Sequence, residues 1–95
     1  MVKRFTLIND HEITLDIEHT DTACFLHIHT IKVFNKSVLK RLAKLSDDLA
    51  EWLVPQYGAL YTYADENRRD LQRLAVHMKF MQDSKEDNLI VYRRQ

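Results

Sequence analysis

At 95 residues, 45% hydrophobic and 29% charged, the chain has the make-up of one globular domain spanning 1–95, not of a disordered segment. Lysine plus arginine equals aspartate plus glutamate, which argues against a general nucleic-acid binder, where cations are in surplus. No apolar run approaches the ~20 residues that span a bilayer, the N-terminus lacks a signal peptide's apolar core, and one cysteine cannot pair internally, so a soluble cytoplasmic protein without membrane association is expected.

Lys3 to Ile8 reads as a first strand and Asn9 to His11 as a turn. Glu12 to Glu18 alternates without fault, with Ile13, Leu15 and Ile17 on one face and Thr14 and Asp16 on the other, which is a half-buried strand. His19 to Thr22 is a polar turn, and Ala23 to Phe34 a longer strand. An antiparallel hairpin centred between Thr20 and Asp21 sets Ile17 against Cys24, Leu15 against Leu26 and Ile13 against Ile28. It sets Asp16 against Phe25, Thr14 against His27 and Glu12 against His29. A one-residue slip would swap every face. After His29 the pattern slips, since Ile28 and Ile31 are three apart, and this predicts a β-bulge.

A helix is expected from about Lys36 to Val54, with Val38, Leu42, Leu45, Leu49 and Trp52 as its inner stripe. Asn35 and Ser37 are good N-cap residues. Pro55 cannot continue the ladder, and Gly58 can close the helix end in a left-handed conformation. Ala59 to Ala64 reads as a strand, and a second helix starting near Asn67 buries Leu71, Leu74, Ala75 and Met78. Gln82 to Asn88 is a charged turn before a last strand, Leu89 to Arg94. The fold class is therefore α+β, in the order β-β-β-α-β-α-β, with one mixed sheet and both helices on its apolar face.

That order resembles the C-terminal two thirds of the GNAT acetyltransferase superfamily, over about Glu12 to Arg94. In that family a bulged strand leads into the helix that holds the acetyl-CoA pyrophosphate, and a helix opened by an Asn-x-x-Ala-type segment follows. Here Ile31 to Phe34 would end the bulged strand, Asn35 to Val54 would be the cofactor helix, and Asn67 to Leu71 would open the next. The family's phosphate loop carries glycines that let backbone amides reach phosphate. Phe34 to Leu39 has none, and Leu74 stands where many members carry a catalytic tyrosine. The family's first two helices are also absent. The resemblance implies a shortened, degenerate relative, similar to small phage-encoded proteins that keep the fold without its motif.

Lys36, Lys40, Arg41 and Lys44 crowd the first half of the long helix, and Asp47, Asp48 and Glu51 the second. The order opposes the helix dipole, which marks an anion or partner site at the helix start, against the plainer reading of a solvated face with pairs such as Lys44–Asp48. His27 and His29 share one strand face with Glu12 and Thr14, which reads first as a polar sheet surface with a Glu12–His29 contact. Four ligands for a structural metal are not in view, so no metal is expected. Tyr61 and Tyr63 share a face that lacks a covering helix, a surface suited to a partner. Cys24 and Trp52 read as core. The expected function is a non-catalytic interaction module, a phage virion component or host-factor inhibitor binding another protein or a second copy through Tyr61, Tyr63, Lys36, Lys40 and Arg41, without a cofactor. The alternative is a small acetyl-CoA-dependent N-acetyltransferase, with Lys36, Ser37 and Lys40 at the cofactor and His27 or His29 as base.

Overall fold

A computed structural model describes residues 2–95. Six strands form one mixed sheet in the order β1-β2-β3-β4-β6-β5. They are β1 (Lys3–Asn9), β2 (Ile13–His19), β3 (Cys24–Ile31), β4 (Leu60–Asp65), β5 (Met81–Glu86) and β6 (Leu89–Arg94). Helix α1 (Lys36–Tyr57) joins β3 to β4, and α2 (Arg69–His77) joins β4 to β5. Of the neighbouring pairs among the described residues, β3–β4 alone is parallel. The fold class is as the alternation and helical spacing predict.

One apolar cluster lies between the sheet and both helices. The strands supply Ile13, Leu15, Ile17, Leu26 and Leu60; α1 supplies Val38, Leu42, Leu49 and Leu53; α2 supplies Leu74 and Ala75. Each fully buried Leu or Ile side chain contributes about 1.5–3 kcal/mol. Buried Ser46 of α1 donates from Oγ to the carbonyl of Met78 at 2.7 Å, tying the helices together. Arg94 reaches the same place, donating to Ser46 Oγ at 2.6 Å and to Asp47 Oδ1 at 2.6 Å. Among the described residues no helix is long and apolar enough to cross a membrane.

The β2–β3 hairpin keeps the predicted faces but not the predicted pairs. Ile17 lies opposite Leu26, Leu15 opposite Ile28 and His19 opposite Cys24, a shift of two residues. Alternation has a period of two, so it cannot tell these registers apart. The turn decides. Thr20 Oγ1 accepts from the amides of Thr22 at 3.2 Å and Ala23 at 3.0 Å, which holds a tight turn further along the chain. The bulge comes where expected, since Leu15 pairs with Ile28 and Thr14 with Thr30, leaving His29 as the extra residue. The strand ends at Ile31, not at Phe34.

Three further corrections concern ends and edges. Helix α1 runs through Pro55 to Tyr57, because a proline in the last turn removes one donor and still fits helical φ. Gly58 then closes the helix at φ 82, its amide donating to Val54 at 2.7 Å. Trp52 is 57% exposed, and Leu53 is buried in its place. At about 100° per residue Trp52 lies roughly 90° from the centre of the buried stripe. The segment read as a turn from Gln82 is strand β5, exposed along its whole length, so it carries no apolar alternation to betray it. The turn itself is confined to 87–88, with Asp87 at φ 53.

Leu49→Asp places a charge in the core stripe and costs about 4 kcal/mol or more. It leaves the chain without a cooperative melt by circular dichroism. Trp52→Asp, on the solvent side, changes stability by no more than about 0.5 kcal/mol. A large loss from Trp52→Asp would show that the stripe is misplaced.

Candidate functional site

The parallel neighbours β3 and β4 share a single backbone pair, Phe25 with Tyr61, near their N-terminal ends. One side chain continues the ladder, with Thr62 Oγ1 donating to the buried carbonyl of Leu26 at 2.8 Å. Beyond that the strands part, and Leu71 and Ala75 of α2 fill in beneath them against Ile28 and Ala64. Past the bulge a cavity of about 440 Å³ opens, with His29, Thr30, Phe34, Arg68 and Leu71 among its walls. A second, of about 350 Å³, lies between the start of α1 and α2 and is lined by Leu39, Arg73, Leu74 and His77. Phe34 and Asp70 border both, so the two form one groove.

At the start of α1, Asn35 caps the helix, its Oδ1 accepting from the Val38 amide at 2.9 Å. Lys36, Ser37 and Lys40 are exposed and line neither cavity. Arg41 is not a free cation. It donates to Asp10 Oδ2 at 2.6 Å and Glu12 Oε1 at 2.8 Å, clamping α1 to the β1–β2 turn. The Arg41 guanidinium and the turn amides hold the Asp10 carboxyl far below the usual carboxylate range. Lys44 and Asp48 form the expected exposed pair at 3.6 Å.

The sheet face turned away from the helices carries Arg4, Asp16, Glu18, Phe25, His27, His29, Tyr61 and Tyr63. Among the described residues no helix packs on it. Arg4 Nε donates to Asp16 Oδ2 at 2.8 Å, and His29 Nε2 lies 2.8 Å from the same oxygen. Hydrogen bonds from His29 and Arg4 hold the Asp16 carboxyl down at about 2. The expected Glu12–His29 contact does not form, because the shifted register puts Asp16 within reach of His29 and Glu12 pairs with Arg41. His27 is 7% exposed, and its Nε2 has no hydrogen-bond partner. Glu18 stands 3.6 Å from it, too far for a hydrogen bond. Burial pushes the His27 imidazole below its ordinary value. Burial likewise pushes the Cys24 thiol up to about 11, so this cysteine is a core residue and no nucleophile.

Of the candidate catalytic, cofactor and partner residues read from the sequence, His29 alone borders the groove. His27, Tyr61 and Tyr63 gather on the open face, and Lys36, Ser37 and Lys40 stand apart at the helix start. Among the described residues no three His, Cys, Asp or Glu groups come together to hold a metal ion. Asp16, Glu18 and Arg4 were not recognisable as site residues, although the alternation of β2 already put the two carboxylates on the histidine face.

A parallel strand pair joined at one end, opened at a bulge and bridged by a helix is a specific arrangement. The fold is GNAT-like. The chain is similar to the crystal structure of the N-acetyltransferase PseH of Campylobacter jejuni, with a TM-score of 0.63 at 13% identity, covering 88% of this chain and 59% of that one. It is also similar to the same enzyme in complex with acetyl coenzyme A, with a TM-score of 0.61 at 12% identity, covering 99% and 67%. The chain thus spans about three fifths to two thirds of that protein's length. No protein-family model matches the sequence, and no curated protein matches it either. Leu74 is 1% exposed in the core.

The buried His27 gives a pH signature. The ordinary imidazole value is 6.5 and the folded value is lower, so below 6.5 the unfolded chain binds more protons than the folded one. The stability linked to this group is whole above 6.5 and is lost as pH falls through the folded value. The melting temperature drops between about pH 7 and about pH 5, and drops less in His27→Phe, which keeps a ring in place. Equal drops in both proteins would remove His27 as the source.

Proposed function

We propose that the chain is a small acetyl-CoA-dependent N-acetyltransferase, and that the parting of β3 from β4 beside His29 is its reaction centre. That parting is the observation that carries the reading. His29 stands at this parting, lining the helix-side groove and contacting Asp16 on the polar face. The acetyltransferase fold of the similar structures supports this alternative over the non-catalytic module expected from the missing glycines.

The residues present fit the cofactor in part. The groove walls of Phe34, Leu39 and Leu74 suit its apolar arm. The helix start does not offer bare backbone, because Asn35 already caps the Val38 amide. Its phosphates would instead meet side chains, Lys36 and Lys40 at the helix start and Arg73 in the groove. Acetyl-CoA, when bound, supplies an acyl group activated as a thioester. His29 takes the proton of the acceptor ammonium. Its Nε2 is held between Asp16 Oδ2 at 2.8 Å and Arg4 Nη2 at 2.7 Å, which fixes the ring in place. With the cofactor bound, the nitrogen would give up its second proton as the amide forms and the departing sulfur would gain one, so the only proton this chain's residues must carry is the one on His29. No tyrosine stands at Leu74 to protonate the sulfur.

The uncovered face with Tyr61 and Tyr63 favours a second reading, a partner-binding surface for another protein or a second copy. Arg41 is then no part of it, being held by Asp10 and Glu12.

Acetyl-CoA at ten or more times its Kd raises the melting temperature by several degrees, since a ligand that binds only the folded chain stabilises it. Lys36→Glu with Lys40→Glu reduces the shift. His29→Ala keeps the shift and lowers acetyl transfer to an amine acceptor by about 10²-fold or more, read as thiol release. No shift at millimolar acetyl-CoA would end the enzyme reading in favour of the partner surface.

A further inference from the structure

We infer, on the basis of the acetyltransferase reading, that the open sheet face beside His29 is the acceptor site and that it takes a small alkylammonium, held over the rings of Phe25, His27 and Tyr63 against the carboxylate of Glu18. The rings make three sides of a box. Phe25 and His27 stand nearly parallel, 17° apart with centroids 6.3 Å apart. Tyr63 is set steeply across both, at 62° to Phe25 and 75° to His27, with centroids 6.5 and 4.9 Å away. Tyr61 extends the wall at 5.5 Å from Phe25. Ring faces are negative, and a cation within about 6 Å of a centroid is attracted to them.

Charge points the same way. Around the rings of β3, Asp16 and Glu18 carry two negative charges and Arg4 one positive, while Arg93 lies further across the same face, opposite Tyr61. Arg4 is bonded to Asp16 at 2.8 Å and only approaches Glu18, at 3.9 Å. One negative charge is left over, and it sits on Glu18, which has no hydrogen bond to either neighbour. His27 adds no positive charge, because burial favours its neutral form. Its Nε2, nine-tenths buried and without a partner, points at this same carboxylate. An ammonium over the rings would pair the Glu18 carboxylate, which the chain leaves without a hydrogen bond.

Size separates the occupants. Neighbouring strands are about 4.8 Å apart and same-face residues about 6.8 Å, so the box and its carboxylate span roughly 150 Å². A stable dimer needs about 800 Å² from each partner. The box suits the end of an aliphatic amine, and His29, two residues along the strand, is placed to take its proton.

The test uses n-butylammonium and its neutral isostere n-butanol, each titrated into the free protein and followed by NMR of the aromatic side chains. Butylammonium perturbs Phe25, Tyr61 and Tyr63 in a saturable way and binds about tenfold tighter than butanol. Glu18→Gln, a near-isosteric change at a half-buried position, brings the two ligands to similar affinity, and Tyr63→Leu weakens the ammonium alone. Equal affinity for both ligands, perturbation confined to another surface, or an unchanged preference in Glu18→Gln would overturn the inference. The cofactor titration is separate. An acetyl-CoA response without cation preference removes this inference alone, and cation preference without an acetyl-CoA response removes the transfer reading alone.

Discussion

Two strands that run side by side yet share one backbone pair set the terms for the whole molecule. A parallel pair needs a crossover, and α1 supplies it at full length across the sheet. At the near end the strands are locked by the Phe25–Tyr61 pair, by ring contact between the same residues, and by Thr62 reaching the Leu26 carbonyl. At the far end the bulge at His29 turns β3 away, and α2 packs Leu71 and Ala75 against the gap. Buried backbone groups left without a ladder partner are costly. An opening here is therefore a specific solution, held by elements on both sides, and the groove, the bulge histidine and the polar face all follow from it.

The polar face is not needed for stability. The apolar cluster lies wholly on the other side of the sheet, and exposed ion pairs contribute about 0–1 kcal/mol at best. Arg4 is 40% exposed on its side chain, so its bond to Asp16 is screened by solvent. An unpartnered nitrogen on His27 works against stability, by about 1–3 kcal/mol. A sheet surface that keeps two histidines, two carboxylates, an arginine and three aromatic rings, one group unsatisfied among them, is better explained by chemistry than by folding.

Much of this was legible beforehand, and the failures have physical causes. Alternation in β2 and the three-residue gap between Ile28 and Ile31 fixed the faces and the bulge, because burial on one side writes a period into the sequence. The hairpin register was off by two because period two is blind to such a shift, and only the Thr20 turn resolves it. Strand β5 was invisible because an edge strand exposed on both faces has no apolar pattern to show. Trp52 was misassigned because spacings of three and four both fit a stripe until its centre is known. The site was harder still. His27 and His29 could be placed on one face, but their partners Asp16 and Glu18 depended on the register, and the groove depended on a packing of α2 that no local signal encodes.

The reversed charge order of α1 has a tertiary cause that narrows its functional meaning. Arg41 belongs to the β1–β2 turn, where it meets Asp10 and Glu12. Asp47 belongs to the far end of the fold, where it meets Arg94 at 2.6 Å and Lys79 at 3.1 Å. Two of the charges that oppose the dipole are thus placed by long-range pairing, not by a ligand. What remains at the helix start is Lys36 and Lys40, with Asn35 closing the amide of Val38. Phosphate held there meets flexible ammonium groups in place of fixed backbone donors. Such a contact is weaker and more sensitive to salt than one made by aligned amides. On the proposed reading the groove, not the helix start, supplies most of the hold on a cofactor.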